Sequence, residues 1–465
     1  MGEPTAGDIR RVLPIVAAGA AVGVSSLLTT VLVARLLTSR GYGALIVLIG
    51  LFLVLSMPGT ALLVAVVRRI TAWETEGRGD RVHAWVVRVH RIGAAAVIVL
   101  ALAIWLVRAP LISALSLPGP GGVVEILTAA GIWVLLSIDR GLLQARQDYR
   151  NLSINLVLEA VTKTAGTIGF AALWGVTGAA LGILVSEVIT AVHARVTAMA
   201  ALARAPGLTG EAPILATEWV PAASTHTARH LAADMVTALV SLALLAVLQN
   251  ADVIGFDSQA PHHSGSYAAI SVPSKALVFG ALVFVNYLLP ESAIRWHQGS
   301  HALRQLGHTL MILALPAVVL VGVAAVAPKT LLDVVFGAKL AKAAPAFSTL
   351  ALAMVFLSVT VVLTVYLLGV GYRWVVLLLA LGTGALILFT LRAHGNYLAT
   401  ARADLGVQAT LAVATALALV AVHLRAGRGW SSAEGGGTAT AGTETGDGGP
   451  ADQGPVSESG YRGPG

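Results

Sequence analysis

The sequence predicts an all-α polytopic membrane protein with about twelve transmembrane helices in two six-helix lobes around a central cavity. Three observations support this fold class. The 465-residue chain is 57% hydrophobic and only 11% charged, and its mean hydropathy is +0.83, outside the range of soluble globular proteins. Apolar runs of about 20 residues, the length that a helix needs to cross a bilayer, recur along the chain. Two sequence markers also repeat at one offset, which indicates an internal duplication.

The predicted spans follow one another through short connections. Because the apolar runs are about 20 residues long, helices rather than barrel strands are expected to cross the bilayer. Pro58, inside the second span, removes one backbone hydrogen bond and is expected to bend that helix. The twelve spans are approximately 12–37, 43–67, 92–115, 120–144, 150–173, 176–201, 222–247, 266–289, 303–327, 344–368, 373–392 and 404–425.

The distribution of basic residues predicts the orientation. With the N-terminus inside, eighteen Arg residues fall on the cytoplasmic side and eight Lys or Arg residues on the other, as the positive-inside rule requires. We therefore expect a multi-pass protein of the cytoplasmic membrane with both termini in the cytoplasm. The net charge of +7 is explained by the basic residues on the cytoplasmic side, which attract anionic membrane lipids. No nucleic-acid partner is therefore expected. The start MGEPTAGDIRR has no cleavable signal pattern, and the first helix is expected to be retained.

The repeat markers define the expected domain organisation. Tyr42 and Tyr267 lie 225 residues apart, and the pairs Leu142-Leu143 and Leu367-Leu368 are separated by the same offset. Six helices return the chain to the same side, so the two lobes would be parallel repeats. The segments are a cytoplasmic N-terminus (1–11), a first lobe (12–205), a cytoplasmic linker (206–221), a second lobe (222–425) and a disordered cytoplasmic tail rich in Gly, Thr, Ala, Ser and Pro (426–465).

A polar stripe on the seventh predicted helix is a candidate binding surface. Its members recur every three or four residues: Thr227, His230, Asp234, Thr237 and Ser241. Asp234 is expected near the bilayer midplane, and Arg229 closer to the interface. His230 and Asp234 are four residues apart, which fits either an internal hydrogen bond or proton coupling.

The fifth predicted helix carries an acid and a base one turn apart, in LVLEAVTKTAG. Glu159 precedes Lys163 by four residues, the favourable order for a helical ion pair, and Glu187 on the sixth helix adds a carboxylate. A single charge at this depth costs at least about 2.5 to 3.5 kcal/mol, so pairing or a wet cavity is required. The pair fits either an internal lock or a direct role in binding. Lys275, on the eighth helix, has no acidic residue three or four positions away, which makes it the main candidate for binding an anion.

No pattern typical of an enzyme or of a metal site is present in the sequence. It contains no HExxH, P-loop, GxSxG or DxD motif, and it has no cysteine. The connections between the spans are too short for an external catalytic domain. We therefore expect a protein that is not an enzyme and has no cofactor, with H⁺ or Na⁺ as candidate coupling ions.

Four stretches resemble the polysaccharide flippase branch of the multidrug, oligosaccharidyl-lipid and polysaccharide exporter superfamily. VARLLTSRGYGALIVLIGLF (33–52) is similar to the family's passage from helix 1 to helix 2, and LLQARQDYRNLSINLVLEAVTKTAG (142–166) to its helix 4 end and helix 5. LQNADVIGFDSQAPHHSGSYAAISVPSKALVFGALVFVNYLLPE (248–291) is similar to its helices 7 and 8, and DVVFGAKLAKAAPAFSTLALAM (333–354) to its entry into helix 10. The chain departs from the family pattern at LLPES and in the loop GFDSQAPHH.

The resemblance implies a flippase that moves an undecaprenyl-pyrophosphate-linked oligosaccharide to the outer leaflet by alternating access, for cell-surface polysaccharide biosynthesis. Polysaccharide polymerases and glycosyltransferases would then be partners, together with membrane lipids. The anionic headgroup would bind to the cationic side chains of Lys275, Lys163, Arg229 and His230. The coupling ion would bind to Asp234, Glu187 and Glu159. The alternative on the same fold is a cation-coupled drug or organic-cation antiporter. A membrane glycosyltransferase, a polymerase or a scaffold protein are more distant alternatives.

Overall fold

The computed structural model describes residues 6–117, 119, 121–203, 228–281 and 302–435, with side chains described except at 6–16, 20, 68, 75, 114, 228–235, 302–305, 308 and 425–435. The first-half helices are α1 (Ala6–Leu36), α2 (Ser39–Thr75), α3 (Asp80–Leu106), α4 (Arg108–Ala114), α5 (Val123–Ala145) and α6 (Tyr149–Ala203). The second-half helices are α7 (Ala228–Gln259), α8 (Ser264–Ser274), α9 (Ala302–Val326), α10 (Pro328–Val335), a 3₁₀ helix (Ala338–Ala346), α11 (Phe347–Gly369), α12 (Val375–Arg392) and α13 (Tyr397–Gly435).

The described residues form helices and no strand, as the sequence predicts. Within this part of the chain, ten helices are long and apolar enough to cross a membrane. One of them, α6, has 55 residues and is interrupted, which gives it the length for two crossings, and the predicted span 266–289 is described only up to residue 281. The chain is therefore a multi-pass, all-α membrane protein, and the expected number of about twelve spans is consistent with these helices.

The interruption of α6 falls where the sequence separates two spans. Trp174 has φ −130° and ψ 19°, and Gly175 has φ +61° and ψ −135°. Positive φ favours glycine, because it has no Cβ. The predicted spans 150–173 and 176–201 are thus the two arms of a helical hairpin. By contrast, α2 runs from Ser39 to Thr75 with Pro58 inside it, so this proline does not end the helix.

Several helices extend further than their apolar runs. Helix α3 begins at Asp80, well before the predicted start at 92, and α7 continues to Gln259, beyond the predicted end at 247. Helix α13 begins at Tyr397 rather than at 404. Hydropathy marks only the part of a helix that is apolar, whereas the backbone hydrogen bonds continue into its polar ends. As a result, several carboxylates expected in loops lie on helices.

Packing is tightest around α5 and α2. Helix α5 packs against α2, α3 and α6, and α1 packs along α6. In the second half, α7 packs against α12, and α8 packs against α11 and the 3₁₀ helix. Helix α2 also packs against α7 and α8, so it joins the two halves. The contacts separate Met1–Leu419 from a second unit, Val420–Gly465, in which residues 420–435 are helical. Residues 426–435 therefore differ from the disordered tail expected there, and 436–465 lie outside the described residues.

The repeat markers occupy corresponding places in the two halves. Tyr42 is the fourth residue of α2 and Tyr267 the fourth of α8, and both are fully buried. Leu142-Leu143 lies near the end of α5, and Leu367-Leu368 near the end of α11. These positions support an internal duplication. The division into two six-helix lobes with the expected boundaries stays a prediction.

Candidate functional site

Two glycines bring the arms of the α6 hairpin together. A Cβ atom on Gly182 would overlap the backbone of Gly166, so the arms touch backbone to backbone at this level. One turn away, the hydroxyls of Thr162 and Ser186 lie 2.7 Å apart. This close approach places polar residues of both arms within hydrogen-bonding distance inside the membrane.

The first charge network lies directly beside this contact and consists of Arg140, Glu159, Lys163 and Glu187. The Nζ atom of Lys163 is 2.5 Å from Glu159 Oε1 and 2.7 Å from Glu187 Oε1. From α5, Arg140 Nη2 lies 2.6 Å from Glu159 Oε2. The ion pair that the sequence predicts between Glu159 and Lys163 is therefore present. Two cations and two carboxylates alternate, so the network is neutral overall and satisfies the requirement for pairing in hydrocarbon.

The first charge network is buried at one end and open at the other. The Glu187 side chain is fully buried and that of Glu159 is 15% exposed, whereas 29% of the Lys163 side chain is exposed. The Lys163 Nζ also lies 5.5 Å from the ring centroid of Phe52 on α2. Lys163 is consequently a cation that is held in place by two carboxylates and has a partly exposed side chain.

Arg140 is a member of this network that is not among the site residues predicted from the sequence. It is only 6% exposed, and its Nε donates to Asn155 Oδ1 at 2.8 Å. Asn155 in turn donates to the carbonyl of Thr190 at 2.9 Å and lies 3.1 Å from His193 Nδ1. The polar network thus continues along α6 beyond the four charged residues. Arg140 lies within the predicted span 120–144, so the sequence did indicate a charged residue inside a membrane helix at this position.

The second charge network is formed in the second half by Asp252, Lys275, Asp404 and their polar neighbours. Lys275 Nζ lies 3.5 Å from Asp252 Oδ1 and donates to Asn250 Oδ1 at 3.4 Å. Lys275, the main anion candidate from the sequence, therefore has an acidic neighbour from another helix. Asp404 also interacts electrostatically with Asp252 and with Lys275.

This second charge network has more acid than base. Both aspartates are fully buried, and with ordinary ionisation two carboxylates face one ammonium group. Asp404 Oδ1 accepts from Gln408 Nε2 at 3.0 Å, but Asp404 Oδ2 has no hydrogen-bond partner among the described residues. A buried unpaired carboxylate oxygen is costly, and a proton or a monovalent cation would relieve this cost. The described residues contain no group of three or more metal-ligating side chains.

The two halves are joined where α1 ends and α2 begins. Arg35 Nη2 donates to the carbonyl of Val334 at 2.5 Å, and Lys339 Nζ donates to the carbonyl of Leu37 at 2.6 Å. The rings of Tyr42 and Phe336 lie 6.3 Å apart. These contacts connect the corner between α1 and α2 to the end of α10 and the 3₁₀ helix.

Glycines extend this contact between the halves towards the middle of the membrane. A Cβ on Gly43 would overlap Ser264 at the start of α8. Further along α2, a Cβ on Gly50 would lie 3.2 Å from Asn250 Cβ. Because Gly50 is eleven residues from Ser39, the contact reaches about 16 Å along the helix. Asn250 also accepts from Lys275, so α2 lies against the second charge network.

The structure does not describe the side chains of three predicted site residues. Arg229, His230 and Asp234 belong to α7, but their side chains lie outside the described part of the chain. Their roles therefore stay predictions. Of the remaining residues in the predicted polar stripe, Ser241 is fully buried.

Substituting Gly182 is expected to weaken the first charge network through the backbone. Gly182→Ala would force the arms of α6 apart, and such overpacking costs about 1–3 kcal/mol. Gly169→Ala, on the same helix, is a matched control, because a Cβ there would meet nothing within 4 Å. Thermal unfolding of the purified variants should show a lower Tm for Gly182→Ala and an unchanged or higher Tm for Gly169→Ala, and equal Tm values would contradict this role of Gly182.

Comparison with known proteins identifies the fold. No family model matches the chain, and no curated protein sequence matches it significantly. Among solved structures, an inward-facing multidrug resistance MATE family transporter of the MOP superfamily is 13% identical, with a TM-score of 0.65 over 86% of this chain and 94% of its own. A MOP superfamily transporter from Pyrococcus furiosus, described as having a binding pocket of reverse polarity that suggests a different function, is 14% identical, with a TM-score of 0.59 over 90% and 95%.

An outward-facing MATE family transporter of the same superfamily is 15% identical, with a TM-score of 0.57 over 91% of this chain and 97% of its own. At these identities the likeness shows the fold alone. The chain thus has the fold of the MATE family transporters, which agrees with the superfamily that its sequence resembles.

Proposed function

We propose that this membrane protein is a flippase that moves a lipid-linked oligosaccharide with a pyrophosphate headgroup across the cytoplasmic membrane by alternating access. The observation that carries the proposal is a lysine within the membrane-spanning bundle, Lys163, whose side chain is 29% exposed. An anionic headgroup crossing hydrocarbon needs such a cation. When the pyrophosphate binds Lys163, Glu159 would keep its ion pair with Arg140, and Glu187 would have to share Lys163 with the pyrophosphate or take up a proton.

The apolar surface of α1, a helix that contacts the residue after Lys163, supports a substrate with a lipid tail. Ser25 and Thr29 of α1 lie 2.5 and 2.7 Å from the hydroxyl of Thr164, the residue that follows Lys163. On the same helix, Val24 is 70% exposed and Leu27 67% exposed. A cation next to an exposed apolar helix suits a molecule with a charged headgroup and a hydrocarbon chain.

The contacts between the halves support alternating access. They lie at the corner between α1 and α2, the end that the charge distribution assigns to the outside, and they reach Gly50. A transporter closed at this end would accept its substrate from the cytoplasmic side. The candidate cations for the headgroup would be Lys163 in the first charge network and Lys275 in the second, with Arg229 and His230. Polysaccharide polymerases and glycosyltransferases remain proposed partners.

A cation-coupled antiporter of drugs or organic cations is the second candidate, and the second charge network favours it. Its excess of carboxylate would bind a coupling H⁺ or Na⁺, or a cationic substrate. In a flippase the same ion would drive the cycle, with Asp234, Glu187 and Glu159 as further candidate ion-binding residues. The substrate is therefore what distinguishes the two candidates.

Reconstituted vesicles separate these candidates. Purified protein in liposomes should move a fluorescent polyprenyl-pyrophosphate oligosaccharide between leaflets, measured by its accessibility to an added glycan-cleaving enzyme. An organic cation such as ethidium should not be driven across by an imposed H⁺ or Na⁺ gradient. Ethidium transport without movement of the glycolipid would overturn the flippase proposal in favour of the antiporter.

Removing the Lys275 cation is expected to abolish glycolipid movement. Lys275→Ala leaves Asp252 and Asp404 without their cation, and a proton or metal ion would have to replace it. Movement in the vesicle assay should fall to background in this variant, while the variant accumulates in the membrane. Lys329→Ala, at an exposed position on α10, is the matched control and should behave as wild type. Wild-type movement by Lys275→Ala would contradict a role of Lys275 in headgroup binding.

A further inference from the structure

A groove runs along the outer surface between α12 and α13. It encloses a volume of about 470 Å³ and is lined by residues including Leu378, Ala385, Phe389, Arg402, Gly406 and Ala414. Its lining includes five Gly or Ala residues, and a Cβ on Gly406 would meet nothing within 4 Å. The groove therefore exists because side chains are missing along this stripe of α13.

The length of this groove matches one leaflet of a bilayer. Phe389 and Leu378 are eleven residues apart on α12, and Arg402 and Ala414 twelve residues apart on α13, so each side is about 17 Å long. Half of a hydrocarbon core of about 30 Å is about 15 Å. Arg402 lies five residues after the start of α13, so the end of the groove that carries this residue is the one nearer the membrane surface.

The charged residue of the groove, Arg402, lies at that surface end, and the hydroxyl of Thr410 further in is already hydrogen-bonded. Thr410 donates its hydroxyl hydrogen to the carbonyl of Gly406 within its own helix at 2.7 Å. Arg402 is exposed and forms no ion pair with a carboxylate among the residues that the structure describes. With respect to these described residues, its guanidinium is thus available to donate paired hydrogen bonds at the level of the lipid headgroups.

We propose that this groove is a binding site for a phospholipid of the surrounding leaflet, with its phosphodiester on Arg402 and one acyl chain along α12 and α13. The cation at the surface end of the groove fits the phosphate of a phospholipid. The apolar remainder, which has the length of one leaflet, fits an acyl chain. A helix of a second copy would fill the apolar part but would bring no anion to Arg402. This site is separate from the residues proposed to bind the transported substrate.

Lipid retention by purified full-length protein tests the site, with dioleoylphosphatidylglycerol as the probe. Native mass spectrometry of delipidated protein titrated with this lipid should show one tightly bound molecule. Arg402→Gln should weaken its binding about tenfold, the effect of losing one charge-assisted contact. Gly406→Leu should weaken it similarly by filling the groove. Dioleoylglycerol, which has the same chains and no phosphate, should bind wild type and Arg402→Gln equally.

Matched controls come from the neighbouring positions. Arg392→Gln removes an exposed arginine at the end of α12 that does not line the groove, and Gly384→Leu adds a side chain where nothing lies within 4 Å. Both should bind the phospholipid as wild type does. Equal binding by all four variants would overturn the proposal. A dimer that forms in the wild type and is lost only in Gly406→Leu would also overturn it, because the groove would then bind a second copy. Displacement of the phospholipid by a polyprenyl-pyrophosphate oligosaccharide would overturn it as well, because the groove would then bind the substrate.

Discussion

Transport is expected to stop when a disulfide joins Gly50→Cys to Asn250→Cys, and to resume when it is reduced. A Cβ on Gly50 lies 3.2 Å from Asn250 Cβ, a few tenths of an ångström short of the range of disulfides, and the two residues belong to different halves. If the halves separate here to expose the substrate site to the other side, a covalent link prevents the cycle. The natural chain has no cysteine, so this pair would be the only thiols present.

The redox state is the control in this experiment. Gel mobility after cleavage between the halves measures the fraction of linked protein, and glycolipid movement is recorded in the same vesicles before and after a reductant. Each single cysteine variant should be insensitive to oxidation, which separates the link from any effect of losing the Asn250 side chain. If fully linked protein moves the glycolipid as fast as the protein does after reduction, α2 and α7 do not separate at this level.

The sequence predicts the helices well because hydrophobicity and helix length are both set by the bilayer. The break between 173 and 176 is the clearest case, since a glycine between two apolar runs of membrane-spanning length marks a turn, and Gly175 adopts a positive φ. The helix ends could not be predicted this way. Polar ends such as the start of α3 and the end of α7 are helical through backbone hydrogen bonding and tertiary packing, which leave no apolar signal.

The candidate site could be predicted only where its contacts are local. The pair of Glu159 and Lys163 follows from their spacing on one helix. The other partners, Arg140 and Glu187, approach through helix packing across 19 and 24 residues of sequence. Asp252 could not be predicted as a site residue for a different reason. It lies beyond the apolar run that marks α7 in the sequence, although the helix itself continues past this position.

Helix α2 provides a physical connection between the two charge networks. Its Phe52 lies beside Lys163 of the first network, and its Gly50 lies against Asn250, which accepts from Lys275 of the second. Positions 50 and 52 point about 200° apart on a helix, towards opposite sides. A movement of α2 would therefore change the surroundings of both networks together, which is a requirement for coupling ion binding to substrate movement.

Neutralising the first charge network in pairs is expected to separate its structural role from its role in transport. Lys163→Met alone leaves Glu187 buried without a cation, and breaking a buried pair in this way costs about 3–5 kcal/mol. Membrane abundance and Tm should both fall strongly. Adding Glu187→Gln removes the orphaned charge and leaves the pair of Arg140 and Glu159 intact, so abundance and Tm should recover towards wild type.

Transport gives the decisive result for this double variant. If Lys163 binds the pyrophosphate, Lys163→Met with Glu187→Gln should be stable and still inactive in the vesicle assay. Lys329→Met controls for the loss of a lysine at an exposed position and should remain active. A stable double variant that moves the glycolipid at the wild-type rate would instead show that Lys163 only locks the arms of α6 together. The headgroup would then have to bind elsewhere, with Lys275 as the remaining described lysine within the buried networks.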